Sequence, residues 1–405
     1  MLGVIQPEER ISVFKDALTA LSNKSTYLYF QSNRYWYDAH PNLRKTVEER
    51  ASKIDDEEVK ADMSSRLNSF REKGDFARIH ICAESEDISD DDEVGLVVMQ
   101  PDASYRKDSQ MSNALHKAKS ILDNRGNIPR KYKNMLIFLA PDSEIISNLD
   151  NDVRRYLAWK SVDDDKEALN LDAHQRRQVG ENLEKSDKTV NIRLNEAYSW
   201  LLIPVQEGTK PIKLEIKKIM KGDGSFISRA SKQAKNEELL ITKWSPALLN
   251  NELDKWLWQH SKHINTKQMW EYFASYPYLP RLKDSSVLTE CIKEGLRSRD
   301  FFGYASDMDS SERYLGLEFG NPGVSVSLDP KSVLIKKEEA LKQALEEDKQ
   351  QKNEHGILEG LDKHHQTKSN KEILEESKAT IFRRFYGRAN LDPMRVSRDA
   401  DQKIS

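Results

Sequence analysis

Residues 134–140 read NMLIFLA and residues 94–99 read VGLVVM, and these two nearly unbroken apolar runs decide the fold. Such a run is typical of a strand that is buried on both faces, because a half-exposed strand would alternate apolar and polar residues. Further β-prone segments lie at 25–30, 77–83 and 200–205, and segments with helical spacing separate most of the strands. Strands that alternate with helices predict an α/β architecture with a mixed or parallel sheet and flanking helices.

The second half of the chain has a different order of elements. Its predicted helices begin at Pro246, after a cap at Asn265, and after a cap at Ser285 or Ser286, and a hairpin is predicted from 301–305 and 314–319. Three helices followed by a β-hairpin predict a winged-helix-like domain. The predicted segments are an α/β domain (1–206), a basic hairpin or connector (207–245), the winged-helix-like domain (246–335) and a charged helical tail, partly disordered (336–405).

Composition limits the function classes. The chain has 405 residues, of which 32% are charged, and a formal net charge of −3, so binding to nucleic acid would have to be local. No apolar run is long enough to cross a bilayer, and the N-terminus does not resemble a secretory signal. The two cysteines, Cys82 and Cys291, lie far apart in apolar contexts, which favours reduced thiols and a cytoplasmic location. Because no apolar run could cross a bilayer, we expect no membrane partner.

A phosphate-binding loop is missing from the sequence. The motif G-x-x-x-x-G-K-[ST] does not occur, and the only glycine-dense stretch, KGDGS at 221–225, lacks the lysine and hydroxyl that must follow such a loop. We therefore expect that the chain does not hydrolyse ATP by this route alone, and we predict no cofactor in it.

Several sequence blocks resemble one known family. The blocks are YLYF (27–30) with RYWY (34–37), PNL (41–43), ERA (49–51), RRYLAWKS (154–161) with DKEALNLD (165–172), PRL (280–282), and RFYG (384–387) with LDP (391–393). Together they resemble the C-terminal, post-ATPase half of the large AAA+ ATPases found beside DNA methylases in phage-defence islands. The ATPase of the phage-growth-limitation and BREX systems is the best-known relative. The resemblance spans roughly residues 1–335 and 381–400.

The resemblance implies a role within a larger machine. In that family the phosphate-binding loop lies upstream of every block matched here, so ATP and Mg²⁺ are implied for another module, and this chain is expected to be a fragment, a split gene product or a truncated copy. The expected function is a non-catalytic regulatory or interaction portion of the ATPase. The expected partners are other defence-system proteins, namely a methylase and the ATPase half.

Arg34 is the one candidate for sensing nucleotide. It follows a predicted strand and turn, where a sensor or finger arginine could contact a γ-phosphate of a bound nucleotide. The alternative is a structural arginine that stacks on Tyr35 or Trp36.

Residues 207–243 form the candidate nucleic-acid-binding segment. They include nine basic and five acidic residues, and the candidate phosphate contacts are Lys210, Lys213, Lys217, Lys218, Arg229 and Lys232. DNA is accordingly the alternative partner. Because Phe226 is the only aromatic residue there, base stacking is not supported, and a solvated hairpin or a protein-docking edge competes with the DNA interpretation.

Three further motifs each have a chemical interpretation and a structural alternative. Glu215-Ile216-Lys217 has the Glu-x-Lys form of metal-dependent nucleases, but that chemistry also needs an upstream carboxylate at the same metal, and no Pro-Asp precedes the motif at a suitable distance. The acidic runs 90–93 and 163–165 could bind a divalent cation, although such runs more often face water. The third helix of the winged-helix-like segment could read DNA through Lys293, Arg297 and Arg299, yet residues 246–330 hold nine basic and twelve acidic residues, which favours protein docking over DNA reading.

Overall fold

The computed structural model describes residues 10–25, 27–31, 34–37, 42–107 and 112–362. The chain divides into two compact units, Met1–Leu240 with Ser275–Lys283, and Ile241–Ala274 with Asp284–Ser405. The basic segment up to Leu240 thus belongs to the first unit, whereas the sequence predicted a separate connector at 207–245.

The first unit is built from alternating helices and strands. Its helices are α1 Ile11–Lys24, α2 Leu43–Lys53, α3 Asp56–Leu67, α4 Asn113–Asp123, α5 Ser143–Asp164, α6 Ala173–Ala197 and α7 Phe226–Asn236. Its strands are β1 Leu28–Gln31, β2 Arg34–Tyr37, β3 Arg78–Ile81, β4 Gly95–Val98, β5 Asn124–Arg125, β6 Ile128–Pro129, β7 Leu136–Pro141, β8 Tyr198–Val205 and β9 Lys213–Lys218.

A five-stranded sheet with the order β3-β4-β7-β8-β9 forms the centre of this unit. The first three strands are parallel, and β8 runs antiparallel to both of its neighbours. The sheet is therefore mixed, and the predicted α/β fold with flanking helices is confirmed. Every residue of β4 and of β7 is buried, as their continuous apolar runs predicted.

Helices cover the sheet because its central strands have no face suited to water. On one face, α4 packs against side chains of β4, β7 and β8 in a cluster that includes Ala118, Val97 and Phe138. The long helices α5 and α6 pack against each other, and α2 packs on α5. Leu43 and Val47 of α2 belong to one buried cluster with Trp159 of α5.

The amphipathic pattern from Pro41 to about Phe70 predicts one long helix, but the structure has two, α2 and α3. The chain leaves the helical conformation at Ile54, and the Asp55 carboxylate accepts a hydrogen bond of 2.7 Å from the Glu58 backbone N–H, which caps α3. The amphipathic period continues across this break, so the pattern alone did not reveal it.

The blocks that carry the family resemblance hold these helices together. Arg50 of α2 donates hydrogen bonds to Ser161 Oγ (2.5 Å) and Asp165 Oδ2 (2.6 Å) at the end of α5. Arg154 of α5 bonds the Ile54 carbonyl and the Asp56 carboxylate where α2 gives way to α3. These arginines are therefore structural, because each joins two helices.

The second unit combines helices with a small antiparallel sheet. Its helices are α8 Pro246–Glu252, which continues as a π-helical turn over Leu253–Leu257, α9 Thr266–Ser275, α10 Ser285–Gly295 and α11 Lys337–Asp362. Its strands are β10 His263–Asn265, β11 Phe302–Ala305, β12 Asp307–Met308, β13 Tyr314–Leu315 and β14 Val333–Lys336. The main sheet has the order β10-β14-β11, and both pairings are antiparallel.

The starts of the three helices were largely predicted. Ser245 caps α8, with Pro246 in its first turn, and Asn265 Oδ1 accepts a hydrogen bond of 2.9 Å from the Gln268 backbone N–H. The cap of α10 is Asp284 instead of Ser285 or Ser286, since its carboxylate accepts a hydrogen bond of 3.0 Å from the Ser286 backbone N–H. A carboxylate at that position also complements the helix dipole.

The predicted hairpin forms, but its main partner strand was missed. Tyr304 forms an antiparallel β-bridge with Glu318, and β12 pairs antiparallel with β13. The chain therefore reverses direction between these segments, as a hairpin requires. The central strand of the sheet is β14, at Val333–Lys336. The family-like blocks at 384–387 and 391–393, and the tail beyond Asp362, lie outside the described residues.

Candidate functional site

Ligand sites of α/β units commonly lie at the carboxyl ends of the parallel strands. Cys82 follows β3 with a φ of 50°, a left-handed conformation that is strained for a residue with a side chain. Burial raises the pKa of the Cys82 thiol to about 11. The thiol is therefore protonated at neutral pH and is a poor nucleophile.

Polar side chains beside Cys82 bond to one another. Gln100 Nε2 donates to Glu84 Oε1 at 2.6 Å, and Lys117 Nζ donates to Gln100 Oε1 at 2.5 Å. Lys117 Nζ also lies 3.4 Å from Glu84 Oε1. This network joins the loop after β3, the loop after β4 and α4, so its groups hold the sheet edge together.

Asp142 occupies the equivalent position after β7. Its carboxylate caps α5 and accepts a hydrogen bond of 3.0 Å from Trp200 Nε1, while Lys218 Nζ lies 3.4 Å away and above the Trp200 ring. Burial alone would raise the pKa of Asp142, but the hydrogen bonds from Trp200 and from backbone N–H groups outweigh it, and the pKa lies below its ordinary value. Asp142 is therefore a structural carboxylate.

We expect Asp142→Asn to weaken the acid dependence of stability. A carboxylate whose pKa is lowered by folding stabilises the protein above its unfolded-state pKa, and this contribution is lost as the pH falls through the folded-state pKa. The variant should be less stable than the parent at pH 7, by about 1 kcal/mol or less, and should lose less stability between pH 5 and pH 3. Urea unfolding at several pH values measures this. Asp164→Asn, at the exposed far end of α5, should behave like the parent, and equal pH profiles for parent and Asp142→Asn would contradict the role.

The predicted nucleic-acid contacts are spread over two faces and a helix. Lys213 and Lys217 lie on one face of β9, while Lys218 lies on the other, beside Trp200. The hairpin partner of β9 is β8, and residues 226–236 form α7, so the expected basic hairpin at 207–243 is an edge strand followed by a helix. Arg229 and Lys232 belong to that helix.

Acidic side chains neutralise several of these cations. Lys210 Nζ lies 2.7 Å from Glu207 Oε2, and Lys217 Nζ lies 2.6 Å from Glu237 Oε2 and 3.5 Å from Glu215 Oε1. Lys218 faces Asp142, as described above. Arg229 is partly buried and donates to the Asn195 carbonyl at 2.5 Å, which leaves Lys213 and Lys232 as exposed candidates whose ion pairs are not seen among the described residues.

The other candidate motifs also have structural partners. Asp91 and Glu93 both pair with Arg78, and Asp90 accepts hydrogen bonds from the backbone N–H groups of Lys131 and Tyr132. Over the described residues, no group of three or more His, Cys, Asp or Glu side chains could hold a metal ion. The Glu-x-Lys motif on β9 therefore belongs to no such group within that part of the chain.

Arg34 is exposed and begins β2, and residues 32 and 33 of the predicted turn lie outside the described residues. It pairs with Gln31 in the register of the β1–β2 hairpin. Its proposed role in nucleotide sensing stays a prediction.

A groove with an apolar floor lies beside α10. It has a volume of about 570 Å³, and its floor includes Trp244, Val287 and Cys291, which are buried. Burial raises the pKa of Cys291 to about 12, so its thiol is uncharged. Five charged side chains line the groove: Lys243, Glu290, Lys293, Glu294 and Arg297. An apolar floor with both charge signs around it suits an amphipathic polypeptide segment better than a phosphate backbone.

Sequence reasoning found α10 but not the groove. Its walls come from residues 242–244, α10 and residues 323–324, which are far apart in the chain. A second groove of about 530 Å³ adjoins β10. Two of its lining residues already have hydrogen-bond partners within the protein. His263 Nδ1 lies 3.2 Å from the Tyr314 hydroxyl, and the Asn265 side-chain amide donates to backbone carbonyls.

The chain matches no protein-family model, no curated protein sequence and no solved structure. Within the described residues, no helix is long and apolar enough to cross a membrane. The function therefore has to be argued from the residues and their geometry.

Proposed function

We propose that this chain is the non-catalytic regulatory and interaction portion of an AAA+-type ATPase in a bacterial or archaeal phage-defence system of the BREX-like, methylase-linked kind. The sequence blocks support the family, and the missing phosphate-binding loop supports a role other than hydrolysis. The observation that carries the docking role is the groove beside α10, with its apolar floor and mixed charges. We infer that a segment of a partner protein binds in this groove.

The order of elements in the second unit supports a winged-helix interpretation. Helix α8 is followed by β10, then by α9 and α10, and then by β11, the β12–β13 hairpin and β14. The order β10-β14-β11 puts the last strand in the middle, as the return from a wing would. In this interpretation α10 is the third helix, which recognises the partner in domains of this kind.

Charges on α10 and in the segment that follows it favour protein over DNA as that partner. Lys293 Nζ lies 2.7 Å from Glu290 Oε1, and Arg299 stacks over the Phe319 ring. The segment 246–330 has more acidic than basic residues, whereas a DNA-reading domain carries a positive footprint. Protein docking is thus the role that the charges support.

The alternative function, nucleic-acid binding through residues 207–243, has less support. Its cations are divided between two faces of β9 and α7, and three of the candidate lysines face carboxylates. A phosphate backbone would have to displace these partners. ATP and Mg²⁺ belong to the partner ATPase module in this proposal, and the methylase is the other candidate partner.

The test is binding to the purified ATPase module and methylase of the same defence system, measured by calorimetry with and without ATP. Lys243→Glu combined with Arg297→Glu reverses one charge on each side of the groove. We expect this variant to weaken binding roughly tenfold or more, because like charges would then face the partner's acidic side chains.

The matched control is Lys267→Glu combined with Lys337→Glu, which changes the net charge equally at exposed positions that do not line the groove. It should bind like the parent. Equal affinity of the groove variant and the parent would remove the groove as the docking site. No binding of the parent to either protein, and no effect on ATP hydrolysis, would reject the proposed function as a whole.

A further inference from the structure

Strand β9 is an edge of the five-stranded sheet, and the described residues provide no further strand beyond it. An edge strand presents a row of backbone N–H and C=O groups with which another strand can pair. The apolar side chains of this edge, Ile212, Leu214 and Ile216, are only partly buried where they pack against the cluster under the sheet. A further strand would therefore extend a half-covered apolar face.

The pairing with β8 determines which backbone groups of β9 face outward. The Ile219 backbone N–H donates to the Ser199 carbonyl at 2.7 Å, and the register runs without a shift to Val205 opposite Lys213. Successive residues of a strand direct their backbone groups to opposite edges, so every second residue faces away from β8. The outward residues are Ile212, directly before β9, Leu214, Ile216 and Lys218.

Helix α7 covers one end of this edge. Gln233 Nε2 donates to the Lys218 carbonyl at 3.0 Å, and the Met220 backbone N–H donates to Gln233 Oε1 at 3.0 Å. Over the described residues, no such cover is seen on the outward backbone groups between 212 and 216. The open edge is therefore the stretch 212–216.

Charges of opposite sign alternate with the outward residues of the open edge. Lys213 and Glu215 are exposed and lie on the same face of β9. Glu215 Oε1 lies 3.5 Å from Lys217 Nζ, but Lys217 is held more closely by Glu237, at 2.6 Å. Glu215 is thus able to meet a second cation.

Two copies of the open edge match each other in one antiparallel register. With Leu214 opposite Leu214 of the second copy, the outward residues from 212 to 216 face one another and can form about six backbone hydrogen bonds. Lys213 of each copy then lies directly opposite Glu215 of the other. A twofold axis repeats every contact, so this charge pair occurs at two places.

Neighbouring registers are less favourable. A register centred on Glu215 puts two glutamates opposite each other, and one centred on Lys213 does the same with two lysines. A register centred on Ile216 needs the Lys218 carbonyl, which Gln233 already binds. Charge and the cover by α7 therefore select the register centred on Leu214.

We propose that two copies of this chain associate by antiparallel pairing of their β9 edges, with Leu214 at the twofold axis and Lys213 opposite Glu215 at both places. The inference rests on neither the α10 groove nor the family resemblance. A stretch this short buries less than the roughly 1,000 Å² of a stable interface. We therefore expect a reversible dimer with a dissociation constant of about 10–100 μM.

The experiment is sedimentation velocity of the full chain from about 1 μM to 500 μM, a range that brackets the expected constant. Lys213→Glu makes the open edge acidic and Glu215→Lys makes it basic. Each variant should self-associate roughly tenfold or more weakly than the parent, because like charges then lie opposite at both places. An equimolar mixture of the two variants should associate about as well as the parent, because an acidic edge then faces a basic one.

The matched control is Lys185→Glu, which makes the same charge change at an exposed position of α6 and should associate like the parent. Hydrogen exchange of β8 peptides checks that each variant keeps its fold. If either variant loses that protection, Lys213→Glu combined with Glu215→Lys decides, because it restores opposite charges and should associate like the parent.

A parent that stays monomeric at about 500 μM would overturn the proposal, since this lies well above the expected constant. Unchanged association in both single variants would place the contact elsewhere and overturn it too. Folded single variants whose mixture does not associate would exclude the register. An acidic peptide that pairs with the β9 edge while the parent stays monomeric would show a different occupant and likewise overturn the proposal.

Discussion

Replacing Arg281 by alanine is expected to lower the free energy of unfolding of the first unit by about 3–5 kcal/mol. Its side chain is buried, and its three hydrogen-bond acceptors are backbone carbonyls: Asn134 O at 2.6 Å, Pro204 O at 2.8 Å and Leu239 O at 3.1 Å. Alanine would leave these carbonyls without the donor, at a cost of about 1–3 kcal/mol for each buried group.

The position of Arg281 explains the size of the effect. Its three acceptors precede β7, lie within β8 and follow α7, so one guanidinium fixes the segment Ser275–Lys283 against three parts of the unit. Asn134 strengthens the same junction, since its side-chain amide donates to the Leu279 carbonyl at 3.2 Å. Burial lowers the pKa of Arg281 to about 10, so the group remains protonated at neutral pH and keeps all its donors.

Hydrogen exchange measured by mass spectrometry would test this prediction, because peptides from β7 and β8 report on the first unit alone. Arg281→Lys should lie between the parent and Arg281→Ala, since an ammonium group can replace only part of the planar set of donors. Arg176→Ala is the matched control, because Arg176 is 40% exposed and pairs with Glu167, and it should cost no more than about 1 kcal/mol. A loss below 1 kcal/mol in Arg281→Ala would contradict the structural role.

Arg281 also illustrates what the sequence could reveal. The block PRL at 280–282 contributed to the family resemblance, but its acceptors lie 42 to 147 residues away in the chain. The continuous apolar runs of β4 and β7 predicted buried strands correctly, because burial on both faces leaves a local pattern. A polar side chain bonded to distant carbonyls leaves no such pattern.

The same distinction applies to the candidate sites. The sequence identified the basic residues at 207–243, but Lys218 and its partner Asp142 are 76 residues apart, and Lys217 and Glu237 are 20 residues apart. Strand β14 was missed because it runs directly into α11, which begins at Lys337, so no turn signal separates its short apolar run from the charged helix that follows. The alternation of apolar and charged residues at 212–217 predicted a half-exposed strand, and only the structure revealed which of its backbone groups face away from β8.

The second large effect is expected at the contact between Gly295 and Phe302 in the second unit. Phe302 is fully buried in β11, and its ring lies so close to Gly295 that an added Cβ would come within 2.5 Å of Phe302 Cζ. Phe302→Ala should destabilise this unit by about 3–5 kcal/mol, because it removes a large side chain and leaves a cavity. Gly295→Ala should destabilise it by about 1–2 kcal/mol, since the clash outweighs the gain in helix propensity.

The double variant is the informative one. With the ring removed, the methyl group at position 295 occupies part of the empty space, so the combined loss should be smaller than the sum of the two single losses by about 1 kcal/mol. Hydrogen exchange of peptides from β11, β14 and α10 would measure this, and the sheet of the first unit should be unchanged in all three variants. Additive losses would mean that the two residues do not share one space.

Because Gly295 ends α10 and Phe302 begins β11, this contact sets how closely the helix packs on the sheet, and hence where the groove-lining residues of α10 lie. A Gly295→Ala variant that keeps its fold but shifts α10 should therefore also weaken binding in the α10 groove, while Phe302→Ala combined with Gly295→Ala should restore part of it.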